Sequence, residues 1–190
     1  MYGTLANNSH ILSLLRQGLI HIDPFRKQNL KLAHYPLTVF AIRLREPDGK
    51  WRRRKEFDDD KDPFILKAHQ YVVVEPAEKV VVEEGIIAKF IPSSNIIEQG
   101  LALTAGRLEF PFGKAAERLR FGLKNQLDIP IEVTAYQQVA YVEFYDLRGL
   151  KRRPTELTPR DKEVFSERVA SERKHRADDD GVYYPDYSDD

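Results

Sequence analysis

Between Phe64 and Leu147 the chain is a succession of short apolar and β-branched runs, each cut off by turn residues. Runs of this length are too short for packed helices but suit strands, which the spacing predicts over residues 64–66, 71–74, 79–82, 86–91, 101–104, 119–123, 131–133 and 139–145. Many short strands with frequent turns bury a common face only by curling into a sandwich or barrel. The segment is long enough to form a hydrophobic core without disulfides, and the chain has no cysteine to form any.

The flanks read differently. Residues 9–17 are predicted helical: Ile11, Leu12, Leu14 and Leu15 supply an apolar side, Asn8 or Ser9 caps the start, and Gly18 ends it. Residues 37–44 read as another strand. Residues 46–63 interrupt the pattern as an exposed loop or hairpin, with a turn signal at Pro47-Asp48-Gly49, a basic run at Arg52-Arg53-Arg54-Lys55 and an acidic one at Asp58-Asp59-Asp60. Charge blocks of this kind ordinarily stay in water, so the aspartates are read as solvated and not as metal ligands.

After Gly149 the character changes, which divides the chain into a β domain at 1–150 and an appendage at 151–190. Thr158-Pro159 opens a helix expected to run to about His175. Its apolar stripe is only Val164, Phe165 and Val169, too narrow to stand alone, so it must lean on a surface. The last stretch holds Asp178-Asp179-Asp180, Tyr183, Tyr184 and Tyr187, and reads as an acidic, tyrosine-rich tail. These six apolar and aromatic residues are the expected docking points for another protein.

The totals exclude some chemistries. Thirty basic residues balance thirty acidic ones, which argues against general polyanion binding. The five histidines, His10, His21, His34, His69 and His175, have no ligand spacing, so no metal site is expected. There is no Walker-type loop, dinucleotide fingerprint or nucleophile elbow. No apolar run is long enough to span a membrane and no signal peptide is evident, so the expected location is the cytoplasm or a viral particle assembled there.

Leu66–Val74 followed by Glu78-Lys79-Val80, then Gly85-Ile86-Ile87-Ala88-Lys89, Pro92-Ser93-Ser94, Thr104-Ala105-Gly106-Arg107-Leu108-Glu109, Asn125, Pro130-Ile131 and Gln137-Gln138-Val139-Ala140 stand in a set order. In that order and spacing, over roughly residues 9–148, the chain resembles the dUTPase/dCTP deaminase superfamily, its deaminase branch in particular. The resemblance implies a mainly β fold, a distorted antiparallel β-barrel or jelly roll, here with a short N-terminal helix and a C-terminal helix plus extended tail. It also implies a homotrimer with sites at subunit boundaries, and the apolar run through residues 86–97 is the surface expected to support it.

The chemistry of such enzymes needs a carboxylate to activate water, cations or donors for the phosphates, and a pocket that reads the base. The deaminase-branch base falls on Gly122, which has no side chain, and the dUTPase-branch base on Glu109, one methylene longer than the family's Asp. Pro92 stands where the phosphate motif has arginine, leaving Ser93 and Ser94, and Asn95-Ile96-Ile97-Glu98 supplies no arginine after it. The base-reading segment is about three residues longer than the family pattern and carries Phe112 and Lys114, with Arg118 and Arg120 as further positive charge; Tyr141 replaces a frequent glutamine.

Two readings follow. One is a non-catalytic trimeric binding or structural protein, such as a viral particle component or regulator, with no cofactor. The other is an active deoxynucleotide enzyme, a dCTP deaminase or dUTP diphosphohydrolase, with magnesium accompanying the nucleotide and Glu109, Ser93, Ser94 and Lys114 carrying the reaction.

Overall fold

The computed structural model describes residues 4–57, 62–109 and 119–148. The helix α1, Asn8–Arg16, is followed by strands β1 (Ile20–Asp23), β2 (Tyr35–Arg45), β3 (Trp51–Glu56), β4 (Phe64–Leu66), β5 (Tyr71–Pro76), β6 (Lys79–Val82) and β7 (Ile86–Pro92). A short helix α2, Ser94–Glu98, then leads to β8 (Leu101–Thr104), β9 (Arg107–Glu109), β10 (Phe121–Asn125), β11 (Ile131–Val133) and β12 (Gln138–Asp146).

One antiparallel sheet runs β8-β10-β5-β2-β12-β7-β9, with β3 pairing β2; β1–β6 and β11–β4 form two further pairs. The sheet curls on itself. Phe90 on β7 and Phe121 on β10, well apart in strand order, have ring centroids 5.1 Å apart. The alternation along β12, from exposed Gln138 to buried Phe144, sends every second side chain into the shared core with Tyr35, Leu37, Ile42 and Leu123. This is the mainly β, barrel-type fold expected of the strand pattern.

The structure refines several expectations. Asn7, and not Asn8 or Ser9, caps α1, its side chain accepting from the His10 amide at 2.9 Å. The break after residue 45 is a hairpin: the Glu46 amide donates to the Lys50 carbonyl at 2.8 Å and Arg52 pairs with Asp48 at 2.7 Å. The basic run lies in strand β3, because pairing with β2 satisfies its backbone. The interface surface expected along residues 86–97 is largely internal: Ile86, Ala88, Phe90 and Ile96 are buried in the chain's own core. Asp58-Asp59-Asp60 and everything from Gly149 onward, the predicted helix and tail included, lie outside the described residues.

The two ends of the barrel domain are tied by Asp146. Its carboxylate accepts from the Arg148 guanidinium at 2.7 and 3.0 Å and from the Arg148 amide at 3.1 Å, and it meets His10 Nε2 at 3.2 Å. The Arg148 side chain holds the Asp146 carboxyl at about 2, against an ordinary 3.8, with burial opposing it and His10 assisting. A carboxyl whose pKa falls on folding contributes stability above its unfolded value, lost as pH falls through the folded one. Solvent reaches Arg148, so this amounts to about 1 kcal/mol. Asp146→Asn is therefore expected to lower the urea midpoint at pH 7, and the gap from the parent should close between about pH 4 and pH 2. A gap that stays constant across that window contradicts this account.

Candidate functional site

The phosphate-type motif sits at the end of β7, where Pro92 pairs opposite Ala140 and offers no backbone donor. Ser93 is fully buried. Its amide donates to the Val139 carbonyl at 3.2 Å and its hydroxyl donates to the Gln138 carbonyl at 2.7 Å. The same oxygen caps α2, facing the Ile96 amide at 3.5 Å. Both Ser93 donors are thus spent on joining α2 to β12. Ser94, the first residue of α2, is exposed, and Glu98 and Ile97 are exposed after it.

Glu109 ends β9, which among the described residues pairs with β7 at the end of the strand order. Its carboxylate lies 3.3 Å from Arg107 two residues earlier, with both side chains well exposed. Gly122 lies inside β10, between Val73 of β5 and Thr104 of β8. A Cβ built there would fall 1.9 Å from the Tyr71 hydroxyl and 2.6 Å from its Cζ. The tyrosine ring covers the spot from which a side chain at 122 would leave the sheet. Phe112 and Lys114, like Val164, Phe165, Val169, Tyr183, Tyr184 and Tyr187, which were expected to dock a partner, lie outside the described residues.

The structure gives three polar groups internal roles that the sequence did not assign to them, although Glu78, Arg120 and Asn125 stand in the quoted segments. Arg43 on β2 and Arg120 before β10 both approach buried Glu75 on β5, at 3.0 and 3.5 Å. Arg120 thus neutralises an internal carboxylate. Three valines precede Glu75, so its charge at the end of an apolar run was the one available signal. Glu78 is also buried; its carboxylate accepts from the Thr38 amide at 2.8 Å and hydroxyl at 3.0 Å. Burial pushes its pKa up, opposed by the Thr38 hydrogen bonds.

Asn125 is the third, fully buried at the end of β10. The two hydrogens of its Nδ2 face three carbonyls, one of them shared: Ile129 (2.7 Å), Lys67 (3.1 Å) and Leu66 (3.2 Å); its Oδ1 accepts from the Leu127 amide at 2.9 Å. It fixes loop 126–130, on which Leu127 and Ile129 are 39% and 61% exposed, while Ile97 on α2 is 57% exposed. Leu127 packs on Gly100, whose amide donates to the Ile97 carbonyl. Among the described residues no group of three or more His, Asp or Glu side chains is placed to hold a metal ion. No helix among them is long and apolar enough to cross a membrane.

This curled antiparallel sheet, entered by a short N-terminal helix, has the fold of the dUTPase/dCTP deaminase class. Among solved structures, 2'-deoxycytidine 5'-triphosphate deaminase from Agrobacterium tumefaciens is similar at a TM-score of 0.57 and 12% identity, over 75% of this chain and 48% of that one. The chain thus matches about half the length of that deaminase. A dUTPase from Streptococcus mutans matches at a TM-score of 0.44 and 16% identity, over 67% of this chain and 94% of that one. EIAV dUTPase matches at 0.41 and 12%, over 65% and 97%. No family model and no curated protein sequence matches the chain.

Proposed function

We propose that this chain is a non-catalytic binding or structural protein, a homotrimer built on a dUTPase/dCTP deaminase-type barrel, in the role of a particle component or regulator. The observation that carries the reading is the Tyr71 hydroxyl 1.9 Å from the Cβ position of Gly122. The place that the family resemblance gives to a catalytic carboxylate is both without a side chain and covered by a ring. The phosphate side points the same way, since both Ser93 donors are spent internally and Pro92 brings neither charge nor N–H. Glu109 is drawn to exposed Arg107, which suits a surface ion pair better than a water-activating base.

The trimer rests on the family resemblance and on exposed Ile97, Leu127 and Ile129, apolar side chains on backbone held by Asn125 and Gly100. Purified protein incubated with dCTP or dUTP is expected to yield no dUTP, deoxynucleoside monophosphate or diphosphate, and light scattering is expected to give the trimer mass. Turnover in the ordinary enzymatic range of about 1 to 1,000 per second overturns the non-catalytic reading. A monomer at micromolar concentration overturns the assembly.

The appendage at 151–190 is proposed to dock on a protein partner through Val164, Phe165, Val169, Tyr183, Tyr184 and Tyr187. Burying the three helix side chains contributes on the order of 5 kcal/mol. Ordering the segment costs about 1 to 2 kcal/mol per residue, so it needs a surface. Deleting residues 158–190 is expected to leave the thermal midpoint within about 2 °C of the parent. An insoluble or unfolded truncation means that the segment belongs to the core.

A further inference from the structure

Beside α2 the surface opens into a shallow cleft of about 550 Å³ lined by Asn95, Gln99, Glu132, Thr134, Ala135, Tyr136 and Gln137. We propose that this cleft is a binding site for a neutral, hydroxyl-rich ligand, a saccharide end, with the Tyr136 ring as its platform. The inference does not depend on whether the chain is catalytic or trimeric.

The first observation is backbone strain at an exposed residue. Tyr136 has φ 57° and is 56% exposed. A bulky residue in the left-handed region is uncommon, and glycine would occupy the turn without strain. Little burial compensates an aromatic ring there, and retained strain of this kind points to use of the side chain.

The second is a pre-set row of carboxamides. Gln137 Nε2 donates to Gln99 Oε1 at 2.6 Å, while Gln137 Oε1 accepts from the Thr134 amide at 3.2 Å. Gln99 Nε2 donates to Asn95 Oδ1 at 3.4 Å. These bonds fix the amide orientations and leave further donors on Asn95, Gln99 and Gln137 directed by the same geometry. The Thr134 hydroxyl and the Glu132 carboxylate add acceptors at the wall. Ordered amides and a carboxylate suit adjacent hydroxyl groups, each both donor and acceptor.

Charge and shape select among ligands. Among the described residues the lining holds one carboxylate and no cation, so a phosphate would meet repulsion there with no counter-charge. A nucleobase is best held between two apolar walls, and besides the tyrosine the described lining has one apolar residue, Ala135. A pyranose needs one ring face and a polar edge, which a shallow cleft with a rim aromatic provides.

The full-length chain can be presented to an array of neutral and acidic glycans, with deoxycytidine, thymidine and dCTP titrated in parallel by calorimetry. Binding to at least one neutral glycan is expected, falling at least tenfold in Tyr136→Gly and in Gln99→Ala. Tyr136→Gly should melt at or above the parent temperature, because it relieves the left-handed strain, so its loss of binding will not reflect unfolding. No neutral glycan bound, or binding unchanged in both variants, overturns the proposal. Binding of a nucleoside or dCTP that Tyr136→Gly abolishes assigns the cleft to a different ligand class and overturns it too. A marked fall in the melting temperature of Tyr136→Gly would show the ring to be packing and not a platform.

Discussion

Asn125→Ala is expected to lower stability by about 3 to 5 kcal/mol, among the largest effects of any single substitution in the barrel. The side chain serves three carbonyls and one amide from inside the fold, and it is fully buried. Stranding a buried polar backbone group costs about 1 to 3 kcal/mol, and water entering the vacated space recovers part of it. In a domain of this size each kcal/mol moves the thermal midpoint by about 2 to 4 °C, so a fall of roughly 10 °C is expected. Asn125→Asp tests the mechanism separately. It keeps the acceptor for the Leu127 amide but turns a carboxylate toward three carbonyls, so it should be at least as damaging. A scanning calorimetry shift below about 3 °C in Asn125→Ala would mean that the loop holds itself, and Ile97, Leu127 and Ile129 would then not form a fixed surface.

Gly122→Glu is expected to restore no deamination and to cost stability. The new Cβ falls within 1.9 Å of the Tyr71 hydroxyl, so the ring must swing out or β10 must move. Overpacking of this kind costs about 1 to 3 kcal/mol. Tyr71 is 44% exposed, which gives its ring a route outward and places the cost toward the lower end. The double variant Tyr71→Ala with Gly122→Glu removes the clash, so it should be more stable than the sum of its two single changes predicts. It should still turn over no dCTP. A general base typically contributes about a hundredfold to ten-thousandfold, and it acts only on a substrate whose phosphates are held. Ser93 cannot hold them while it bridges Gln138, and Pro92 has nothing to offer. Deamination by either variant, followed by chromatography of dUTP, would mean that the phosphates are bound by groups elsewhere.

The strands of the barrel were legible because the runs are short, apolar and rich in β-branched residues, and the turns between them are marked. That Gly122 has no side chain and Pro92 no N–H could be read from the sequence, because both follow from residue type alone. The hairpin strand β3 was less so. Trp-Arg-Arg-Arg-Lys carries no apolar alternation, and only pairing with β2 makes it a strand. Helix α2 was missed because five residues give no periodicity; it exists because buried Ser93 caps it and Ile96 anchors it in the core.

The sequence by itself determined the fold class and the order of the family-like segments, since these depend on residue type and spacing along the chain. Only the tertiary structure decided that Ser93 is consumed, that Arg120 joins Arg43 at Glu75, that Tyr71 covers Gly122, and that Asn95, Gln99 and Tyr136 share one cleft. Each of these joins residues far apart in sequence or a backbone angle that residue type does not reveal. Tyr71 and Gly122, separated by some fifty positions, meet because β5 and β10 pair in one register, and a shift of that register by one residue would turn the ring to the other face.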